Sequence, residues 1–170
     1  VLQKGTERTL EAIFRCIHWR TVLEEGTVAD PRRATPGQEL LIALLRDKEA
    51  HALERLFRLL GLQYRGEDFE KIYRGLRNSS AKVRAGSREL LENLVRPPLR
   101  DAILALVDDV PDPARLARAA TVYRATPLGY DDLLRAAASG KFAAYCERFL
   151  FGSVAENLAV RFGTKGSPVV

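Results

Sequence analysis

The sequence predicts an all-α fold of stacked antiparallel helix pairs, and three observations support this prediction. Apolar residues recur at helical spacing along most of the chain, and no stretch alternates apolar and polar residues over the length of a strand. The chain contains no Asn-Gly or Asp-Gly dipeptide, the usual signal of a tight hairpin turn. Helix starts and stops are instead marked by proline and glycine, as at Thr35-Pro36, Pro97-Pro98, Asp112-Pro113 and Gly129.

Two long helices are predicted at the start of the chain. The first covers about residues 6–24 and ends at Gly26, and a polar linker follows it. The segment Thr35-Pro36-Gly37-Gln38 has the pattern of a capping box with proline at the first helical position, so it predicts the start of the second helix. That helix is predicted to end near Leu60, with Gly61 as its C-terminal stop.

Shorter helices follow in pairs, and they are predicted at about residues 67–77, 81–95, 98–108, 112–124, 130–138 and 141–151. Ser153 is predicted to cap a terminal helix. Helices this short cannot each bury an apolar stripe alone, so neighbouring pairs must stack. The predicted organisation is an N-terminal helix and linker over 1–35, a helical repeat domain over 36–162 and a frayed tail over 163–170. On the helix at 81–95, the residues predicted to face inward are Val83, Leu90, Leu91 and Leu94.

The composition predicts a globular cytoplasmic domain. The chain has 170 residues, 46% hydrophobic and 29% charged, which suits one domain with a proper core. Its longest unbroken apolar run, Leu40 to Leu45, is much shorter than a bilayer span. No signal peptide is visible, and the two cysteines, Cys16 and Cys146, fit a reducing compartment. Because the chain starts at Val1 and contains no methionine, it is interpreted as a piece of a longer protein, and a processed terminus is the equally compatible alternative.

Residues 73–95, from Tyr-Arg-Gly-Leu-Arg-Asn-Ser-Ser-Ala-Lys to Asn-Leu-Val, resemble a HEAT repeat. They also resemble the HEAT segments of large bacterial proteins in which these segments follow a transporter-like membrane module of the nucleotide-translocase type. Residues 56–64, 98–100 and 106–109 also resemble the sequence around the HEAT segments of those bacterial proteins. The resemblance implies a HEAT-type α-solenoid fragment. It also implies a bacterial cytosolic domain, tethered to the inner membrane through a module that this chain does not include.

One departure from the HEAT pattern concerns the turn before the second helix of a pair. That turn commonly carries Asp-Pro, and the Asp can cap the helix and face an Arg of a neighbouring repeat. This chain has Ser80 and Ala81 there. Ser80 is expected to cap the helix, whereas an Asp–Arg ladder through this position is not predicted although Arg84 is present.

No set of residues in the sequence is predicted to form an active site, a metal centre or a cofactor site. Cys16 and His18 are two apart, so on a helix they point in nearly opposite directions and cannot share a metal ion. Carboxylate pairs such as Asp108-Asp109 lie at helix ends, where they are expected either to favour the positive N-terminus of a helix or to solvate a turn. No glycine-rich phosphate loop occurs. The sequence therefore predicts a protein that is not an enzyme.

The charge pattern provides the one functional hint. Residues 65–100 contain nine basic and five acidic side chains, which accounts for most of the net charge of +5. Arg74 and Arg77 share one helix face, and Arg84 and Arg88 share a face of the next helix. These four arginines are predicted to face outward with uncompensated charge and to form a partner-binding basic patch. The alternative interpretation is a solvated outer face with local glutamate partners.

The function expected from these observations is a protein–protein interaction or regulatory scaffold domain with a protein partner. A first alternative is a HEAT-like nucleic-acid-binding domain that uses the basic surface. A second alternative, which rests on the transporter association alone, is a nucleotide-responsive regulatory domain.

Overall fold

A computed structural model describes residues 2–138 of the chain. Within them, 77% of the residues are helical and no strand occurs, so the all-α prediction is confirmed there. No helix among these residues has the length and apolar character that crossing a membrane requires. The predicted helix at 141–151, the cap at Ser153, the tail at 163–170 and Cys146 lie outside the described residues.

Seven α-helices occur within residues 2–138, and a single 3-10 turn at Pro31–Arg33 separates the first two. The helices are α1 (Leu2–Ala29), α2 (Pro36–Gln63), α3 (Phe69–Leu76), α4 (Ala81–Leu94), α5 (Leu99–Val107), α6 (Asp112–Arg118) and α7 (Tyr130–Ala138). By their internal contacts, the residues fall into two units. Within the described residues, unit 1 comprises residues 2–21 and 44–126, and unit 2 comprises residues 22–43 and 127–138.

The core of unit 1 is built from the apolar stripes of its helices. In unit 1, α3 packs on α4, α4 on α5 and α5 on α6. Phe57 of α2 stacks on Tyr73 of α3 with their ring centroids 4.8 Å apart. The largest fully buried side chains of unit 1 include Leu10, Ile13, Phe14, Leu56, Phe69, Leu91 and Ile103. Burial of these side chains is the main force that holds the short helices of this unit together.

Helix α4 presents a different face to the core from the one predicted. Leu91 is fully buried, but Val83 and Leu90 are 42% and 53% exposed, so the prediction that they face inward is wrong. The covered side of α4 is marked by Leu91 and by Ser87, which is buried against Gly75 of α3. Val83 and Leu90 lie at the edge of this side and remain partly exposed.

The start of α4 also differs from the prediction, because the side chain of Ser80 makes no capping hydrogen bond. The backbone N–H of Ser80 instead donates to Oδ1 of Asn78 over 2.9 Å. Helix α3 does have the expected kind of cap, since Oδ1 of Asp68 accepts from the N–H of Lys71 over 2.9 Å. The α3–α4 turn is therefore organised by Asn78 rather than by a serine cap.

In unit 2, Gly26 lies inside α1 and does not end it. A Cβ atom at this position would overlap the ring of Tyr130, so glycine allows the α7 tyrosine to pack directly on the helix backbone. The guanidinium of Arg33 lies over the same ring, 4.2 Å from its centroid. Glycine at position 26 therefore allows the Tyr130 ring to approach the backbone of α1 closely. The sequence alone does not distinguish this role of a glycine from that of a helix stop.

In unit 1, Gly61 was also predicted to end its helix. It lies inside α2 instead, because α2 continues to Gln63.

The predicted capping box at the start of α2 forms only in part. Thr35 Oγ1 accepts from the backbone N–H of Gln38 over 3.3 Å, as expected. The Gln38 side chain, however, is only 5% exposed and turns away from the cap. Its Nε2 donates to the carbonyl of Leu23 over 3.0 Å and to Thr27 Oγ1, and its Oε1 accepts from the Tyr130 hydroxyl. Because these partners satisfy the buried amide, unit 2 gains a polar link where a local cap was expected.

Helix α6 ends at Arg118, earlier than the predicted end near Arg124. The chain then turns, and Tyr123 is buried with its hydroxyl 3.0 Å from Nδ1 of His18 on α1. The Tyr123 ring also lies 6.5 Å from that of Phe14, measured between centroids. Burial raises the pKa of Tyr123 above its ordinary value.

The close contact between α3 and α4 can be tested with two glycines that differ only in their surroundings. Gly75→Ala should lower the free energy of unfolding by about 1–3 kcal/mol, because the added methyl group would overlap Ser87 Oγ and lie 3.0 Å from Ser87 Cβ. Gly86→Ala on α4, which has nothing within 4 Å of the new atom, should instead raise it by about 0.5–1 kcal/mol. Urea unfolding of both variants measures the difference. Equal effects of the same sign would show that the Gly75–Ser87 contact does not set the packing of α4.

Candidate anion-binding groove

A groove in unit 1 brings together arginines from five parts of the chain. Its inner half has a volume of about 560 Å³, and its outer half has a similar volume. Leu76, Arg77, Val107 and Arg115 line both halves, so the two halves adjoin. The charged side chains of the inner half are Arg20, Arg46, Arg77, Arg115, Glu49 and Asp112. Those of the outer half are Arg77, Arg84, Arg88, Arg115, Asp108 and Asp109.

Four charged residues from α1, α2 and α6 form a buried ion cluster at the inner half, named here the Arg20 cluster: Arg20, Glu49, Asp112 and Arg115. Arg20 is only 7% exposed, and its guanidinium lies 3.2 Å from Glu49 Oε2 and 2.7 Å from Asp112 Oδ2. Arg115 Nη1 lies 3.4 Å from Asp112 Oδ1 and 3.8 Å from Glu49 Oε1. Two guanidinium groups therefore balance two carboxylates within the cluster, and three separate helices are joined by charge.

The environment of Glu49 shows that burial of these paired charges is unfavourable for the charged form of at least one of them. Burial raises the pKa of Glu49 above its ordinary value, and the nearby charge and hydrogen bond of Arg20 only partly offset that effect. The carboxylate of Asp112 raises the pKa further, because two like charges share the site. In addition, Nε of Arg115 is buried and has no hydrogen-bond partner within residues 2–138. The Arg20 cluster is consequently a place where removal of one member leaves another charge buried.

Asp108, at the end of α5, links three helices on the outer side of the groove. Its Oδ1 accepts from Arg88 Nε of α4 over 2.9 Å, and its Oδ2 accepts from Arg118 Nη1 of α6 over 2.9 Å. Arg88 also pairs with Glu92 on its own helix. The hydrogen bond and charge of Asp108 raise the pKa of Arg88 further above its ordinary range. Asp108 is thus a structural ion-pair partner, and the expectation that it only solvates a turn is wrong.

The pairing of Arg88 corrects one part of the predicted basic patch. The sequence analysis assigned uncompensated charge to all four patch arginines, whereas Arg88 is held between Asp108 and Glu92. The partner Asp108 is 20 residues away along the chain. No local spacing rule indicates such a pairing.

Arg77 and Arg84 retain the uncompensated charge that was predicted for them. Within residues 2–138, neither has a carboxylate partner. The Arg77 guanidinium lies 5.5 Å from the centre of the Tyr73 ring, and its Nη1 donates to the Tyr73 hydroxyl over 3.2 Å. Arg84 Nη1 donates to the backbone carbonyls of Asn78 and Ser79 over 2.8 and 2.7 Å. Both side chains are held in place by neutral groups while other N–H donors remain available.

The structure brings together three of the four predicted patch residues. Arg77, Arg84 and Arg88 line the outer half of the groove, and Arg74 is exposed on α3 without being part of the lining. The inner half is lined by three further arginines that were not predicted from the sequence: Arg20, Arg46 and Arg115. These three come from distant parts of the chain, and only the tertiary fold places them side by side.

The cysteine and histidine side chains of the described part of the chain lie in different surroundings. Cys16 is buried, His18 is buried beside Tyr123, and His51 is exposed with its Nδ1 3.3 Å from Asp47 Oδ2. Over residues 2–138, no three side chains of His, Cys, Asp or Glu are grouped so that they could hold a metal ion.

Comparisons of the chain with protein-family models, with curated proteins and with solved structures give no match.

The role of Asp108 can be tested against its sequence neighbour. Asp108→Asn should lower the free energy of unfolding by about 1–3 kcal/mol, because it weakens charge-assisted hydrogen bonds to Arg88 and Arg118. Asp109→Asn removes the same formal charge from an exposed side chain and should change it by no more than about 0.5 kcal/mol. The measurement is chemical unfolding of both variants at neutral pH. Equal losses in the two variants would refute the assignment of Asp108 as the link between helices.

The raised pKa of Glu49 predicts a pH dependence of stability. The folded state binds more protons than the unfolded state between the ordinary glutamate pKa of 4.5 and the raised pKa of Glu49. The free energy of unfolding contributed by this group therefore falls as pH rises through that window. Glu49→Gln keeps an acceptor for Arg20 but cannot ionise, so it should lack this contribution.

The corresponding measurement is urea unfolding of the wild type and of Glu49→Gln over a pH series that starts below the ordinary glutamate pKa. The stability of the wild type relative to the variant should decrease as pH rises. A relative stability that increases with pH would show that Arg20 outweighs burial and lowers the pKa of Glu49 instead.

Proposed function

We propose that this chain is a non-catalytic protein-interaction module that binds an acidic segment of a partner protein in the groove of unit 1. The observation that carries the proposal is the state of Arg77 and Arg84. Both line the outer half, both are held by neutral groups, and neither has a carboxylate partner within residues 2–138. A guanidinium fixed in this way can accept a carboxylate with little further loss of conformational freedom.

The composition of the groove favours a protein segment over a nucleic acid. Six arginines line it together with four carboxylates, so its positive excess is modest, and the carboxylates would repel parts of a continuous row of phosphates. Tyr73 is the aromatic side chain of the lining, and its ring stacks on Phe57 and lies 5.5 Å from the Arg77 guanidinium. Because the ring already has these two neighbours, it offers a nucleobase little open surface for stacking. An acidic peptide needs neither a phosphate row nor a stacking platform.

The proposed architecture is a HEAT-type α-solenoid fragment. It is supported by the succession of short helices in which α3 contacts α4, α4 contacts α5 and α5 contacts α6. It is also supported by the resemblance of residues 73–95, which comprise the second half of α3 and all of α4. In this proposal the module acts in the bacterial cytoplasm as an appended domain of a larger, transporter-like protein. The groove would then supply the partner contact.

The proposal predicts a specific charge dependence of binding. Arg84→Glu should slow association with immobilised poly-L-glutamate on the order of tenfold at low salt and reduce the salt dependence, because it reverses a charge inside the groove. Arg74→Glu changes the net charge equally but lies outside the groove lining, so its rate should stay within about twofold of the wild type. Thermal unfolding of both variants serves as the control for folding.

Equal slowing by the two variants would show that net charge alone attracts the probe and that the groove is not the site. A single-stranded DNA of matched charge is the comparison probe. Tighter binding of the DNA through Arg84 would replace the acidic-protein proposal with the nucleic-acid one.

A further inference from the structure

We infer that the groove recognises two features of its acidic segment: one large apolar side chain in the inner half and one nearby carboxylate at Arg77 and Arg84 in the outer half. This inference rests on the proposed function and specifies which kind of segment the groove takes. The two halves have similar volumes but different linings.

The inner half offers an apolar wall with no uncompensated charge from the Arg20 cluster. Its apolar side chains are Leu53, Leu76, Leu106, Val107, Val110 and Pro111. The Arg20 cluster, which also borders this half, already pairs its own charges. A volume of about 560 Å³ lies within the usual range of ligand pockets of roughly 300–1,000 Å³ and can hold a leucine or phenylalanine side chain. Burial of such a side chain would contribute affinity that charge alone cannot provide.

The outer half offers fixed cations. Arg84 is held through Nη1 by two carbonyls of the α3–α4 turn, which leaves its Nη2 and Nε donors for an incoming carboxylate. Arg77 is positioned by the Tyr73 ring and hydroxyl. The neighbouring Arg88 is already occupied by Asp108 and Glu92. The two free cations are therefore the ones that would select an acidic residue.

The distance between the two features is limited because the halves share part of their lining. Leu76 and Val107 contribute to both halves, as do Arg77 and Arg115. Side chains two apart on an extended segment project from the same side about 7 Å apart, and those three or four apart on a helix are about 5–6 Å apart. The segment should therefore carry its apolar residue and its acidic residue two to four positions from each other.

Two exposed alanines allow each half to be blocked without disturbing the core. Ala50 lines the inner half from α2, and Ala85 lines the outer half from α4. Ala50→Phe should fill the inner half, and Ala85→Glu should place a competing negative charge beside Arg84. Thermal unfolding of both variants checks that they fold. Ala81→Phe, at an exposed position of α4 outside the groove lining, is the matched control.

The experiment is a selection of phage-displayed random peptides on the full chain, followed by affinity measurements with the synthetic peptides that it yields. Selected peptides should contain a large apolar residue and an Asp or Glu two to four positions apart. Replacement of the apolar residue by Ala, or of the acid by its amide, should each weaken binding about tenfold, which corresponds to about 1.4 kcal/mol. Ala50→Phe should remove the dependence on the apolar residue, and Ala85→Glu the dependence on the acid.

The failure of this inference differs from the failure of the proposed function. If acidic peptides bind through Arg84 but neither their apolar residues nor Ala50→Phe affects binding, the two-point recognition is wrong and the acidic groove stands. If the selection yields no acidic peptide, or if binding is unaffected by both Ala85→Glu and Arg84→Glu, both proposals are overturned.

Discussion

The buried ion cluster around Arg20 is the interaction on which the groove depends. It joins α1, α2 and α6 through Arg20, Glu49, Asp112 and Arg115, which are far apart along the chain. Charges buried in this way are strongly destabilising when one partner is removed, but their net contribution to stability is small when all are present. The raised pKa of Glu49 is consistent with that view, because burial outweighs the attraction of Arg20. The main consequence of the cluster is therefore positional, since it fixes one wall of the groove.

The pairing of the arginines separates those that hold the structure from those that remain available. Arg20, Arg88 and Arg118 each contact a carboxylate of another helix. Arg77 and Arg84 are held by a ring, a hydroxyl and carbonyl groups. This distinction cannot be seen in the count of basic residues between positions 65 and 100. It explains how a groove with mixed charges can still present a specific positive site.

The sequence predicted the helical class and most of the helix positions, because apolar periodicity and proline or glycine punctuation are local signals. It failed where glycine or glutamine acts through a distant partner. Gly26 was predicted to end α1, but it lies within the helix and leaves room for the Tyr130 ring. Gln38 was predicted to form a reciprocal cap, but its side chain forms hydrogen bonds with the Leu23 carbonyl and the Tyr130 hydroxyl.

The candidate site was predictable to the same limited extent. Arg77 and Arg84 could be selected from helix spacing within one pair of helices. Arg20, Arg46 and Arg115 could not, because only the tertiary fold brings them to the same groove. The partial exposure of Val83 and Leu90 likewise depends on how α4 packs on its neighbours, which no local pattern indicates.

The most direct test of this account is a nuclear magnetic resonance titration of the full chain with an acidic peptide, read at the arginine side-chain Nε–H signals. The account predicts that the signals of Arg77 and Arg84 shift in a saturable manner, while that of Arg74 stays in place. Saturable shifts confined to another surface, such as the exposed edge of α4 at Val83 and Leu90, would contradict the claim that the groove is where the partner binds.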